Sequence, residues 1–124
     1  VRYKRIWWKG IDLDAFEWNG TMGPFSRSYD LFGDRSITLV SIPGHSGGLF
    51  AVKITNGEGD HVLLFSDGGY AERSWRDLVT SGIAAGKVAQ KKSLERIREQ
   101  SLDPRCIESL ANHDPDIRPH VIEL

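Results

Sequence analysis

Residues 41–54 read Ser-Ile-Pro-Gly-His-Ser-Gly-Gly-Leu-Phe-Ala-Val-Lys-Ile. Two chemistries compete for this stretch. Gly44-His45-Ser46-Gly47-Gly48 fits the G-x-S-x-G pattern of a serine-hydrolase elbow, and it also sets a histidine in a glycine-rich turn, as a metal ligand requires. An elbow needs a helix directly after the serine, because the helix N-terminus stabilises the oxyanion. Here Leu-Phe-Ala-Val-Lys-Ile-Thr comes next, rich in β-branched and aromatic residues, and it predicts a strand. A strand–turn–strand setting builds no elbow. The nucleophile reading of Ser46 is therefore disfavoured, and His45 is left as a candidate metal ligand to be weighed with other residues.

The strands extend outward from that turn. Ser36–Ile42 and Leu49–Thr55 are predicted strands, and Tyr29–Phe32 is paired with the first through a Gly33-Asp34 turn. Asn56-Gly-Glu-Gly-Asp60 is a turn cluster leading into the short apolar run His61–Asp67, which ends in an acid and reads as a buried strand. After Tyr70 the pattern changes. A short helix capped by Ser74 is expected through Trp75 and Leu78, then a longer one over Lys87–Gln100 with Val88, Leu94 and Ile97 on its buried stripe. Cys106–Leu110 is a last strand, running into Asn112-His-Asp-Pro-Asp116. Strands, then helices, then a strand indicate one layered α/β domain over residues 1–124.

Composition narrows the function. The chain has 124 residues, 40% hydrophobic and 27% charged, with a formal net charge of -1. That charge provides no field for nucleic acid or an anionic membrane surface, and no apolar window approaches the roughly 20 residues of a membrane-spanning helix. The single cysteine, Cys106, leaves no internal disulfide framework, which predicts a reducing, cytoplasmic setting. The sequence opens on valine, which reads as a portion of a longer protein.

Three residues suit metal coordination. His45 lies in the glycine turn, Asp67 ends a buried strand ahead of Gly68-Gly69, and His113 comes after the last strand. The glycines are expected to let backbone approach a ligand or ion. Imidazole plus carboxylate suits zinc, iron or manganese. Each residue alone has a plainer reading as a solvated loop or turn residue, so the argument rests on the three together. His61 and His120 have no such company and are expected at the surface, and Tyr70 is equally well a packing residue.

Pro-Gly-His-Ser-Gly-Gly at 43–48, Leu-Leu-Phe-Ser-Asp-Gly-Gly-Tyr at 63–70 and Asn-His-Asp-Pro at 112–115 resemble the C-terminal half of the metallo-β-lactamase superfamily. Within it the acyl-homoserine lactonase-like hydrolases are most similar. The likeness spans about Tyr29 to His120. It implies an αββα sandwich with a mixed, largely antiparallel sheet and flanking helices, of which this chain is one half. It further implies two divalent ions at a sheet edge, zinc first, with manganese or iron as alternatives. His45 would complete one metal's ligands, Asp67 would bridge both, and His113 would serve the second. Tyr70 would face the substrate carbonyl while a bridging hydroxide attacks an ester or lactone. The family's H-x-H-x-D-H signature is absent, since no two of the four histidines stand two residues apart. The chain by itself is therefore expected to be inactive, and to need either a missing N-terminal half or a second copy. The alternatives are a non-catalytic half-sandwich that mediates association, and a thioester hydrolase of the same superfamily.

Overall fold

The computed structural model describes residues 5–124, so the reading of residues 1–4 lies outside the described residues. Five strands form one sheet in sequence order: β1 (Ser28–Asp30), β2 (Ile37–Ser41), β3 (Phe50–Thr55), β4 (His61–Ser66) and β5 (Cys106–Ala111). The first four pair antiparallel, and β5 joins β4 in parallel. A parallel neighbour cannot be reached by a tight turn. The crossover from β4 to β5 is made by α1 (Glu72–Arg76) and α2 (Lys87–Ser101).

Turn chemistry sets the hairpins. Gly33 has φ of +80°, and the Asp30 carboxylate accepts hydrogen bonds from the Gly33 and Arg35 N–H groups. In the β3–β4 turn, Asn56 Oδ1 accepts from the Glu58 and Asp60 N–H groups at 3.0 and 2.9 Å. Both are side-chain mimics of a backbone turn, placed where the sequence puts Asn or Asp beside glycine.

Alternation along the strands gives the sheet two unlike faces. Ala51, Leu63 and Phe65 pack with Ile42, Trp75, Leu94 and Ile97 in the core beneath the helices. The opposite face carries Leu39, Val52, Leu64 and Leu110 in one row across β2 to β5, and Ile37, Ile54 and Val62 in the next. The core under the helices does not include that second face, and most of its side chains are only half-buried.

Several sequence expectations change here. Val88 is 88% exposed, and the buried face of α2 is Gln90, Ser93, Leu94 and Ile97. Ser74 does not precede α1 but lies within it, where its Oγ accepts from the Tyr70 and Ala71 N–H groups. It closes the first turn from inside, a task for which a hydroxyl in that turn serves as well as a cap. His61 is 1% exposed, because its strand is central and the alternation turns it inward. Burial, with the Lys53 ammonium beside it, holds this imidazole below the ordinary histidine pKa. His120 is at the surface as expected, but it has company: Nε2 lies 2.8 Å from Glu108 Oε2, and Nδ1 lies 2.7 Å from Arg118 O. Those contacts raise its pKa, the Arg118 carbonyl most strongly.

Candidate metal centre at the sheet rim

His45 lies in the loop after β2, Asp67 directly after β4 and His113 shortly after β5. β2 and β4 run in the same direction, each antiparallel to β3, and β5 is parallel to β4. All three residues therefore leave the sheet at one rim. His45 Nε2 is 3.7 Å from Asp67 Oδ2, and His113 Nε2 is 3.1 Å from Asp67 Oδ1. Tyr70 makes T-shaped contacts with both imidazoles, with ring centroids 6.0 Å from His45 and 5.3 Å from His113. The structure thus brings together all four residues singled out in the sequence. Ser46 sits in a strand–turn–strand loop with no helix after it, so the elbow geometry is absent.

Each member is held by a different device. The loop of His45 is tied to the start of α2. The Gly86 N–H donates to Gly44 O at 3.0 Å, the Ala85 N–H donates to His45 O at 3.3 Å, and Ser93 Oγ donates to Pro43 O at 2.8 Å. Asp67 comes after Ser66, whose φ of +49° is uncommon for a residue with a side chain and turns the chain sharply out of β4. The register between β4 and β5 also shifts between Leu64 and Ser66. Such an irregularity re-aims the side chains at a strand's end. His113 is more than half exposed, so packing does not orient it. Its neighbours do: Asn112 Nδ2 donates to Ser66 Oγ at 3.0 Å, and Asp114 Oδ2 accepts from the Glu72 N–H at the start of α1 at 2.8 Å.

Gly68 and Gly69 have another purpose than the one the sequence suggested. A Cβ at Gly68 would meet Ile42 Cδ1 at 2.7 Å and Phe65 O at 2.9 Å, and one at Gly69 would meet Ser74 Cβ at 2.6 Å. The space they leave is filled by core and helix packing. Asn112, Ser66, Ser93 and Asp114 escaped sequence reading because each acts through a partner distant in the chain. The only local signal was the turn-rich Asn-His-Asp-Pro run.

The donor set has a particular form. The two imidazoles address different oxygens of one carboxylate. Among the described residues no group of three His, Cys, Asp or Glu side chains closes on a single point as a one-ion clamp does. Bonds of about 2 Å at tetrahedral angles place donors on one ion roughly 3.3 Å apart, and the 3.7 and 3.1 Å separations bracket that value. The spacing is compatible with a carboxylate shared between two imidazole-bearing positions.

Against the rim lies a cavity of about 730 Å³ bounded by the Ser46–Gly48 loop, Phe50, Val52, Leu64, Ser66 and Asn112. It joins the polar rim to the open apolar face.

No family model matches the chain. Solved structures do. An N-acyl homoserine lactone hydrolase with the product N-hexanoyl-L-homoserine bound at its catalytic metal centre superposes with a TM-score of 0.60 at 23% identity, over 71% of this chain and 34% of that one. A quorum-quenching N-acyl homoserine lactone lactonase gives the same score over 71% and 35%. In the part it spans, the chain has the metallo-β-lactamase-type lactonase fold, as its motifs implied. Among curated proteins it is 27% identical over 110 residues to N-acyl homoserine lactonase AttM of Agrobacterium fabrum (strain C58), covering 87% of this chain and 41% of that protein. It is 30% identical over 95 residues to AttM of Rhizobium johnstonii, covering 73% and 34%. The chain therefore spans less than half the length of the curated relatives it matches.

Proposed function

We propose that this chain supplies the C-terminal portion of a metal-dependent lactone hydrolase. The observation that carries the reading is the Asp67 carboxylate with one imidazole on each oxygen, His45 on Oδ2 and His113 on Oδ1. Similarity to N-acyl homoserine lactonases supports lactones, or the chemically related esters, as substrates.

His45, Asp67 and His113 would hold two divalent ions, zinc foremost, with the rest of the ligands from the remainder of a lactonase. Bound there, the ions supply Lewis acidity and lower the pKa of water toward neutrality. This chain's residues set the frame for that chemistry. Asp67 offers one oxygen to each side and partly offsets the positive charge. His45 and His113 would each offer one ring nitrogen to an ion. Tyr70, whose ring is near both imidazoles, would donate its hydroxyl to the oxygen of a lactone carbonyl as negative charge builds there. Loss of one such donor costs about 3 kcal/mol of transition-state stabilisation.

The open sheet face supports a second part of the reading. Its rows of Leu39, Val52, Leu64, Leu110 and of Ile37, Ile54, Val62 are those of an inner sandwich face. The other layer of an αββα sandwich, from the rest of a lactonase, is the occupant this surface fits, and a second copy of the chain is the substitute.

Elemental analysis after equilibrium dialysis tests the centre. The 124-residue chain is expected to retain fewer than two tightly bound zinc ions, and Asp67→Asn to retain less still. Two tightly held ions per isolated chain, or retention unaffected by Asp67→Asn, would overturn the assignment. In a protein carrying this chain with the remaining ligands, Asp67→Asn is expected to abolish lactone hydrolysis.

A further inference from the structure

Two of the three rim ligands are immediately preceded by residues bonded to each other. Ser66 precedes Asp67 and Asn112 precedes His113. Asn112 Nδ2 donates to Ser66 Oγ at 3.0 Å, and the Asn112 N–H points at Ser66 O at 3.5 Å. This pair bridges the ends of two parallel strands just where their regular ladder stops, since the last partner pair is Ser66 with Ala111. Beyond that pair the two strand ends are joined by the Asn112–Ser66 contacts, a side-chain bond at 3.0 Å and a long backbone one at 3.5 Å. Ser66 is also in the left-handed region, a conformation that persists only when its surroundings enforce it.

We propose that Asn112 is a positioning residue for the metal centre: its bond to Ser66 fixes the separation and mutual angle of Asp67 and His113. The inference rests on the reading of those two residues as ligands. The need for such a device arises from exposure. His113 is more than half exposed and Asp67 nearly a third, so neither is locked by packing. Partners outside the ligand set commonly change metal affinity by 10- to 100-fold when removed. The Asp114 contact to the Glu72 N–H holds the other side of His113, so the loop is anchored before and after the imidazole.

Cobalt(II) titration of the 124-residue chain, read by visible ligand-field absorption, is the test. Asn112→Ala and Ser66→Ala are each expected to weaken cobalt binding about tenfold and to alter the band shape. The double variant is expected to be no weaker than the poorer single one, because both remove the same link. Unchanged affinity and spectrum in Asn112→Ala, or strictly additive losses, would overturn the proposal, whatever happens to the melting temperature. A crystal structure of Asn112→Ala supplies a readout independent of metal. His113 Nε2 is expected to leave Asp67 Oδ1, and its retention near 3.1 Å would overturn the proposal. Should the wild-type chain bind no more cobalt than Asp67→Asn, the ligand reading falls, and the crystal structure alone then decides whether Asn112 positions the pair.

Discussion

Gly44 sits immediately before His45 with φ of +149°, and a Cβ added there would overlap the backbone of Gln90 in α2. No rotamer change relieves a clash with backbone, so the loop must lift off the helix. Gly44→Ala is expected to destabilise the fold by about 2–3 kcal/mol. Urea unfolding measures this loss, and with it His45 should move away from Asp67. Tyr70 provides a contrast. Its ring lies near the two imidazoles, and Tyr70→Phe keeps that ring, so the change should leave the melt unchanged. In the complete hydrolase the same change should lower kcat by about 100-fold with little effect on KM. A drop in stability without a drop in kcat would return Tyr70 to a packing role. The sequence made His45, Asp67 and His113 legible because each stands in a turn-rich segment at a predicted strand end, and Tyr70 through the family resemblance alone. Asn112 and Ser66 were opaque, since nothing local shows that positions 46 apart in the chain are bonded.

In the secondary elements, stability and pH response depend on which face a residue presents. Leu94 is fully buried on α2, and Val88, one and two-thirds turns earlier, is 88% exposed. Leu94→Ala is expected to cost about 2–5 kcal/mol, and Val88→Ala less than about 0.5. Strand β4 carries the pH dependence. His61 has a folded pKa below the ordinary 6.5, chiefly through burial. Below that ordinary value the unfolded chain takes up the proton more readily than the folded one. His61 stability is therefore complete above about pH 6.5 and is lost as pH falls toward the folded pKa. His120 has the opposite sign. Its pKa is raised, so its contribution is present below 6.5 and fades as pH rises through the folded value. Urea unfolding between pH 5 and 7 should show stability rising with pH, and His61→Gln should flatten the slope. An undiminished slope in that variant would assign the acid sensitivity elsewhere. Sequence reading missed the burial of His61 because a strand's alternation shows that its faces differ, not which face the rest of the fold covers.

For the molecule as a whole, the open sheet face is the dominant feature. Phe50 at its edge is 37% exposed, and Val52 and Leu64 line the cavity that runs from it to Ser66 and Asn112 at the sheet rim. A surface of this kind drives association. The chain is expected to self-associate in sedimentation equilibrium at micromolar concentration, and Val52→Lys with Leu64→Lys to shift it toward monomer. A wild-type chain that stays monomeric with a cooperative melt would remove the case for a sandwich partner on this face. Gly44, His61 and Phe50 thus report on three levels of one arrangement: a loop pinned to a helix, a strand buried on one side, and a sheet left open on the other.

The sequence by itself made legible the strands and two helices in chain order, the rejection of Ser46 as an elbow nucleophile, and His45, Asp67 and His113 at strand ends. Those depend on local pattern: alternation, turn residues, and the kind of element that comes after a glycine run. Only the tertiary structure decided that His45 and His113 address opposite oxygens of Asp67, that Gly68 and Gly69 serve packing, that His61 is buried, and that Asn112 ties Ser66. These depend on contacts between segments far apart in the chain. Such contacts exist only after the sheet has registered and the helices have closed over one face.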